Sequence, residues 1–542
     1  MKIDKKNFKL AFLNQNRKME SKIQISSVTN SFQKVLLNFF YGYRIISYTI
    51  LLYIIVYNLL NAYNLGINAH DYGISIGTAK NALFNGNYYS DVQNHNFLGE
   101  HFSPILILFG IPLIVGYHPI IVLVIQSIIM LSALLGIFKI YYLWTKNSKL
   151  SEFLTLLLIP NTYFLEIFKH DFHIEIIGFT ALIYLIYYIN KFNNNNIIII
   201  FLAIIILLVK EDTSLVLFSY FLLLYLKNTL SKKYLYLSIF SALYFLLCFF
   251  VLMPLFADGK YIHIIRYQAL GDSPLNIITN LLSNPELIIR NLKFESINNL
   301  FKSFYYFPLL FITDLFPAFI PIIYNNLSDY YFQNNFLWIH SYMILPFIFN
   351  SGAKSIDFLL TFWNKINLNN LFLNKIYINI KLFLDRLINF NSEQKKTQIF
   401  NASNFYLLLI SFIILMFYVP KITFLFRENY VLGHLISKTT KDKEIVKILY
   451  SKIKPIIGQN SSIASVGELQ PHLLQNQYSG FLGIPSTDSI SLKKANFLIF
   501  LEDRIPWPFT DSTNYSNYKN ERLLNFTPIY KDSNFLILKK KK

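Results

Sequence analysis

Ile197 to Val209 reads IIIIFLAIIILLV, Lys210-Glu211-Asp212 interrupts it, and Ser214 to Leu226 resumes as SLVLFSYFLLLYL. Both runs are apolar on all sides, with neither a polar helix face nor the alternation of a half-buried strand. Such a run suits a nonpolar solvent. In hydrocarbon every backbone N–H and C=O needs a partner inside its own segment, which makes the runs helices. Ionisable residues at the hydrocarbon edge cost several kcal/mol unless they face water, a partner or a ligand. The pair therefore reads as a membrane hairpin with a polar site at its tip.

Further runs of the same kind are Ile45 to Leu60, Ile120 to Phe138, Ile176 to Ile189, Tyr234 to Leu255 and Phe405 to Val419. With 54% hydrophobic and only 15% charged residues, the chain is too apolar for a soluble protein of 542 residues. The expected fold class is a polytopic α-helical membrane protein. A net charge of +19 raises the question of nucleic acid, but many lysines and arginines lie in the loops between apolar runs. That is the positive-inside pattern, with anionic membrane lipids as partner and no nucleic acid. Cys248, the only cysteine, lies within an apolar run, so one chain offers neither a disulfide nor a CxxC metal site.

The basic segment 1–43 precedes an uncleaved first anchor and is expected in the cytoplasm of a plasma-membrane protein. The multi-pass domain spans 44–353, with large outer loops at 64–103 and 258–290. Pro104 to Tyr117 is expected to be a re-entrant or interfacial half-helix, Phe153 to Leu165 a crossing, and Phe336 to Phe349 another. Leu292 to Tyr324 holds one or two crossings broken by prolines. Residues 354–403 form a basic cytoplasmic insertion with an interfacial helix over Leu371 to Phe390. A last span, 404–420, leads to a small α/β extracytoplasmic domain over 421–542. Its strand-like runs are Ser462 to Val466, Ala495 to Phe500, Leu523 to Tyr530 and Asn534 to Leu538. Lys539 to Lys542 reads as a solvated tail.

Between Ser21 and Ala257 the chain has nine acidic residues. Eight of them, Asp71, Asp91, Glu100, Glu166, Asp171, Glu175, Glu211 and Asp212, fall on the same predicted face of the bilayer, a clustering that implies a polar site. Four compact sets stand out: Ala69-His70-Asp71-Tyr72-Gly73, Gly99-Glu100-His101-Phe102-Ser103-Pro104, His170-Asp171-Phe172-His173-Ile174-Glu175, and Lys210-Glu211-Asp212. None contains a phosphate loop, a serine-hydrolase elbow or a zinc-protease motif.

Asp71 can accept a proton from a hydroxyl or bind a divalent cation; it reads also as a helix N-cap or a solvated loop acid. His101 can orient a phosphate or share a proton, or cap the half-helix after Ser103. The His170, Asp171, His173, Glu175 group suits metal ligation or proton sharing, and also a hydrated hairpin tip. Lys210, Glu211 and Asp212 pair with one another or line a cavity. Lys260, His263 and Arg266 offer cations to a phosphate or coat a surface.

Taken in order, Asp71-Tyr72-Gly73, His101-Phe102-Ser103-Pro104, Asp171-Phe172-His173-Ile174-Glu175, Lys210-Glu211-Asp212, His340-Ser341-Tyr342 and a late Pro471-His472-Leu473 resemble domain-of-unknown-function family twenty seventy-nine of predicted membrane proteins. The resemblance runs from about Asn61 to Leu538. That family looks similar to the GT-C glycosyltransferases, which use polyprenyl-phosphate sugars on the non-cytoplasmic side. The resemblance implies a GT-C-like helical bundle and transfer of a sugar to an envelope acceptor. It implies Asp71 as the base, with His101, His173, Glu175, Glu211 and Asp212 as the remaining catalytic wall. His70, Ser103, Lys210, His263, Arg266 and His340 would bind substrate. The implied partners are a polyprenyl-phosphate sugar donor and membrane lipids; no cofactor is assigned, and a divalent cation is left open. The alternatives are a multi-pass transporter or lipid-handling protein, and a non-catalytic envelope assembly factor on the same scaffold.

Overall fold

The computed structural model describes residues 44–45, 47–63, 65–169, 172–192, 196–227, 231–259, 261–365 and 432–541. The N-terminal segment 1–43, the expected interfacial helix and the expected last span 404–420 lie outside the described residues. The chain divides into two units, Met1–Ile50 with Lys354–Lys421, and Leu51–Ala353 with Ile422–Lys542. The described residues of the first are helical, 44–45, 47–50 and 354–365. The second holds a helical bundle and a C-terminal α/β domain.

Helix α1 (Ser47–Asn61) leads into a folded loop region containing α2 (Ile74–Asn85) and a two-residue hairpin, β1 (Tyr89–Ser90) with β2 (His95–Asn96). The bundle continues with α3 (Ile120–Thr145), α4 (Ser148–Leu158), α5 (Thr162–Lys169), α6 (Glu175–Lys191), α7 (Asn196–Val209), α8 (Thr213–Lys227), α9 (Lys232–Leu247) and the short α10 (Met253–Phe256). Three described stretches are long and apolar enough to cross a membrane: Ile120–Thr145, Lys232–Phe256 and Phe307–Asn326. At 26 residues, α3 extends about 39 Å, more than the roughly 30 Å of hydrocarbon. Only 17% of the most apolar window of Lys232–Phe256 is buried within the protein, an exposure that suits a span in contact with lipid.

Two expected crossings are broken rather than continuous. Ser148–Leu158 and Thr162–Phe168 meet at 75°, and Tyr331–Ser341 and Leu345–Thr361 at 70°. Pro160 lies at the first break, and the Asn161 carboxamide caps the new helix by accepting from Tyr163 N at 3.0 Å and Phe164 N at 3.3 Å. The apolar run Phe336 to Phe349 conceals the second break, because both limbs are hydrophobic. The loop 258–290 is helical in large part: a 3-10 segment (Ile262–Tyr267), α11 (Pro274–Ser283) and α12 (Glu286–Asn291). Next come α13 (Phe294–Lys302), α14 (Phe316–Asn326), α15 (Tyr331–Asn334) and α16 (Leu345–Lys365).

The expected half-helix after Ser103 is a 3-10 helix, Pro104–Ile114, with Leu108, Ile111 and Ile114 exposed. It packs against α2 so closely that a Cβ on Gly110 would lie 2.6 Å from the Ala79 carbonyl oxygen. Glycine is the residue that permits this approach.

The C-terminal domain is a five-stranded sheet of order β4-β3-β5-β7-β6, built from β3 (Ser462–Ser465), β4 (Tyr478–Phe481), β5 (Phe497–Leu501), β6 (Phe526–Lys531) and β7 (Phe535–Lys540). β3 pairs in parallel with β4 and β5, and β7 pairs antiparallel with β5 and β6. Strand β4 has no counterpart in the sequence reading; all four of its residues are buried, so no alternation betrays it. The terminal lysines also differ from expectation. Lys539 and Lys540 belong to β7, and the Lys541 ammonium bonds the carbonyls of Leu523 and Leu524 at 3.0 and 2.8 Å, near the end of the helix Ser512–Arg522.

This domain docks on the loop between α1 and α3. Asp91 accepts from Ser479 N at 3.0 Å and lies 3.5 Å from Lys80, whose ammonium donates to the Asn476 carbonyl at 3.0 Å. Ala69 N donates to the Gly467 carbonyl at 3.0 Å. Asp91 is therefore engaged in domain docking, not in an acidic site.

A second part of the seam is aromatic and cationic. The His118 ring lies 5.5 Å from Tyr450 and 6.0 Å from His472, and the Lys454 ammonium sits 3.5 Å above the Tyr450 ring. Burial pushes the Lys454 ammonium down from 10.5 to about 7. The unfolded chain then holds the extra proton between about pH 7 and 10.5, so the folded state gains stability as pH rises through that window. Lys454→Met is expected to raise the apparent Tm at pH 7 and to flatten its rise toward pH 10. Thermal unfolding in detergent checks this; a variant slope identical to wild type would refute it.

Candidate functional site

At one end of the bundle the loops and helix starts bring their polar side chains together. His101 stands at the centre. Its Nδ1 is 3.3 Å from Glu211 Oε1, its Nε2 is 3.1 Å from His263 Nε2, and the two rings stack with centroids 4.7 Å apart. His263 Nε2 is also 3.1 Å from Glu100 Oε1. The other carboxylate oxygen of Glu100 is held by Gln93 and by His95 Nε2, the latter at 3.2 Å. Glu211 Oε2 accepts from Phe102 N at 2.9 Å, which ties the turn between α7 and α8 to the loop before Pro104. His101 therefore does not cap the 3-10 helix.

A second group adjoins the first. Asp71 Oδ1 lies 3.9 Å from His173 Nε2, and the Lys210 ammonium lies 3.5 Å from Glu175 Oε1 in the first turn of α6. Asp212 accepts from the hydroxyls of Tyr324 at 2.8 Å and Tyr342 at 3.0 Å. Asp71 occupies a single π-helical turn, Ala69–Gly73, whose N-cap is Asn68: its side chain accepts from His70 N and Asp71 N. The capping role is thus filled by Asn68, and the Asp71 side chain remains 30% exposed while those of Glu100, Glu175 and Glu211 are 11%, 8% and 10% exposed.

Arg266 packs over the Tyr330 ring at 4.9 Å and donates to Gln333 Oε1 at 3.3 Å. His340, at the break before α16, lies 6.3 Å from the same Tyr330 ring and within electrostatic reach of Lys210, Arg266, His173 and His101. Two further residues expected to bind substrate, Ser103 and His70, have contacts of their own. The Ser103 hydroxyl is buried and donates to the Val209 carbonyl at 2.6 Å, a tie between loop and helix. His70 is exposed, with its ring 5.9 Å from Trp507 of the C-terminal domain. His170, Asp171 and Lys260 lie outside the described residues.

Electrostatics separates the acids. Burial pushes Glu211 up, but His101, Lys210 and a backbone bond outweigh it and hold its carboxyl well below the usual range. Asp212 goes the other way: burial raises it, Lys210 pulls back, and the charge on Glu211 adds to the rise. Glu100 is opposed by burial yet held low by bonds from His263 and His95. Burial brings His263 down to about 4, against the pull of Glu100. At neutral pH Glu100 is therefore a carboxylate and His263 a neutral imidazole, the states in which each can ligate a cation.

Glu100, His101 and His263 each offer one ligand atom, all within 4.8 Å of one another. The donor set fits zinc or a similar divalent ion. The contact between His101 Nδ1 and Glu211 leaves Nε2 turned toward the other two donors, the arrangement by which a carboxylate orients a metal-binding histidine.

Glu100 was visible in the sequence beside His101, yet its role depends on His263, 163 positions away. Of the two tyrosines at Asp212, Tyr342 stood in the His340-Ser341-Tyr342 set, whereas Tyr324 had no signal in a chain with 38 tyrosines.

The chain belongs to the family described as predicted membrane protein (DUF2079), whose match covers residues 56–537. No curated protein matches it. Among solved structures it is similar to ArnT from Cupriavidus metallidurans in the apo state, with TM-score 0.42, 10% identity, and coverage of 92% of this chain and 97% of that one. It is also similar to the same protein bound to undecaprenyl phosphate, with TM-score 0.45, 9% identity, and coverage of 92% and 98%.

Proposed function

We propose that this member of the DUF2079 family is a membrane glycosyltransferase of GT-C type, moving a sugar from a polyprenyl-phosphate donor to an envelope acceptor on the non-cytoplasmic side of the plasma membrane. The N-terminus is then cytoplasmic, as the basic segment 1–43 suggests. The observation that carries the reading is the contrast among clustered acids. Glu211, Glu175, Asp212 and Glu100 are each enclosed by donors or cations, whereas Asp71 keeps a partly open carboxylate at the same cluster.

In this reading an acceptor hydroxyl gives its proton to Asp71 and its oxygen attacks the anomeric carbon. The bond from that carbon to the phosphate oxygen breaks, and the lipid phosphate leaves. His173 stands beside this carboxylate, its Nε2 3.9 Å from Asp71 Oδ1. Lys210 and Arg266 supply positive charge for the phosphate, and His340 lies beside them. Lys210 stays charged: burial disfavours its ammonium, but Asp212, Glu175 and Glu211 outweigh burial. A divalent cation held by Glu100, His101 and His263 would add charge neutralisation at the phosphate.

The test is turnover of polyprenyl-phosphate hexoses by the purified chain in nanodiscs, read as free lipid phosphate and transferred sugar. Release that depends on the protein supports the transferase. No release from any hexose donor would overturn it and leave a transporter, a lipid-handling protein or a non-catalytic assembly factor.

A further inference from the structure

Trp507, in the loop between β5 and the helix Ser512–Arg522, remains 42% exposed although its neighbours hold it in one position. One side of its ring stacks on Phe481, with centroids 5.1 Å apart and planes at 11°, and Phe481 is itself fully buried at the end of β4. Its backbone N donates to Glu468 Oε1 at 3.0 Å, and its carbonyl accepts from Gly467 N at 3.4 Å. A Cβ on Gly467 would lie 3.0 Å from the indole, so glycine there lets the strand end press against the ring. An aromatic fixed in this way loses little entropy when something covers it.

Its position is informative as well. The His70 ring lies 5.9 Å away at 59°, and the bond from Ala69 N to the Gly467 carbonyl ties the two segments directly. Asp71 is the next residue after His70. Covering a flat indole face beside polar side chains calls for a ligand that is apolar on one side and hydroxylated at its edge. The axial C–H bonds of a pyranose ring provide the first, facing the negative π cloud, and its equatorial hydroxyls the second. A lipid chain would meet the indole equally well but would offer no hydrogen-bonding group to the exposed His70 ring or to the partly open Asp71 carboxylate.

Building on the transferase reading, we infer that Trp507 is the acceptor platform: a pyranose ring of a glycan acceptor stacks on the open part of the indole beside His70 and presents a hydroxyl to Asp71. The acceptor class is then a carbohydrate, not a peptide or a bare lipid, and the C-terminal domain supplies part of its binding site.

The probes are methyl β-glucoside, methyl β-galactoside, methyl α-mannoside and chitobiose, observed by saturation-transfer NMR with the full chain in nanodiscs. Wild type is expected to bind at least one of them. Trp507→Ala should weaken that binding about tenfold or more, and Trp507→Phe should retain most of it. Equal apparent Tm values for the three proteins show that folding is not the cause. Binding to Trp507→Ala as tight as to wild type, or no binding of any probe, overturns the platform. The two readings fail separately: absence of donor turnover with Trp507-dependent glycoside binding sinks the transferase alone, and donor turnover with glycoside binding indifferent to Trp507 sinks the platform alone.

Discussion

Asp71→Asn is expected to lower sugar transfer by about 10³-fold while leaving donor affinity within roughly threefold of wild type. The substitution preserves volume and hydrogen-bonding reach, and the backbone turn at 69–73 is capped by Asn68, not by the residue replaced. What disappears is the capacity to take up a proton. An attacking hydroxyl that must lose its proton to water reacts slowly, and the deficit belongs to kcat because the hydroxyl is deprotonated only as the bond forms. Lys210 and Arg266, the cations proposed to face the phosphate, are unchanged, which is why the donor should still bind. Single-turnover assays with a polyprenyl-phosphate hexose, alongside equilibrium binding of the same lipid, separate the two quantities. A variant with wild-type turnover would remove Asp71 from the chemistry, and a variant that no longer binds donor would make it a binding residue.

Glu211→Ala is expected to destabilise the bundle by about 3–5 kcal/mol, a loss seen as an apparent Tm lower by about 5 °C in detergent. The carboxylate is buried and makes bonds to Phe102 N and His101, with Lys210 adding to its stabilisation. Truncation leaves the Phe102 N–H without its acceptor and removes one of three carboxylates around the Lys210 ammonium, in a place that water reaches poorly. Glu211→Gln keeps an acceptor for Phe102 N and should lose less, recovering roughly half of the difference. Because Glu211 also sets the orientation of His101, both variants should weaken divalent-cation binding at Glu100, His101 and His263. An alanine variant that melts with wild type would show that the turn between α7 and α8 does not need this pair.

The hairpin of α7 and α8 was legible because its evidence is local. Thirteen-residue apolar runs on either side of Lys210-Glu211-Asp212 can satisfy their own backbone only as helices in a nonpolar solvent, whatever else the chain does. The break between α4 and α5 was less legible: Pro160 is visible, but an apolar run on both sides of it reads as one crossing. The break before α16 is marked by Pro346 in the first turn of the new helix, but hydropathy cannot distinguish a bent segment from a straight one. Strand β4 and the strand assignment of Lys539 and Lys540 depend on pairing with other strands, so neither composition nor alternation marks them.

The same distinction divides the polar residues. Asp71, His101, His173, Lys210, Glu211 and Asp212 were marked as a group by their positions at the ends of apolar runs, and they do come together. Asp91 carried the same mark and is engaged elsewhere, by Lys80 and Ser479 N. Charge at a membrane boundary costs free energy that any suitable partner can offset, and sequence cannot say which partner. By itself, then, the sequence determined that the chain enters a bilayer, because the transfer of each apolar segment is set by its own side chains. Tertiary structure alone decided that His101 joins Glu211 to His263 and that Trp507 stands beside His70, because those contacts link segments up to hundreds of residues apart and exist only when separate helices and domains pack.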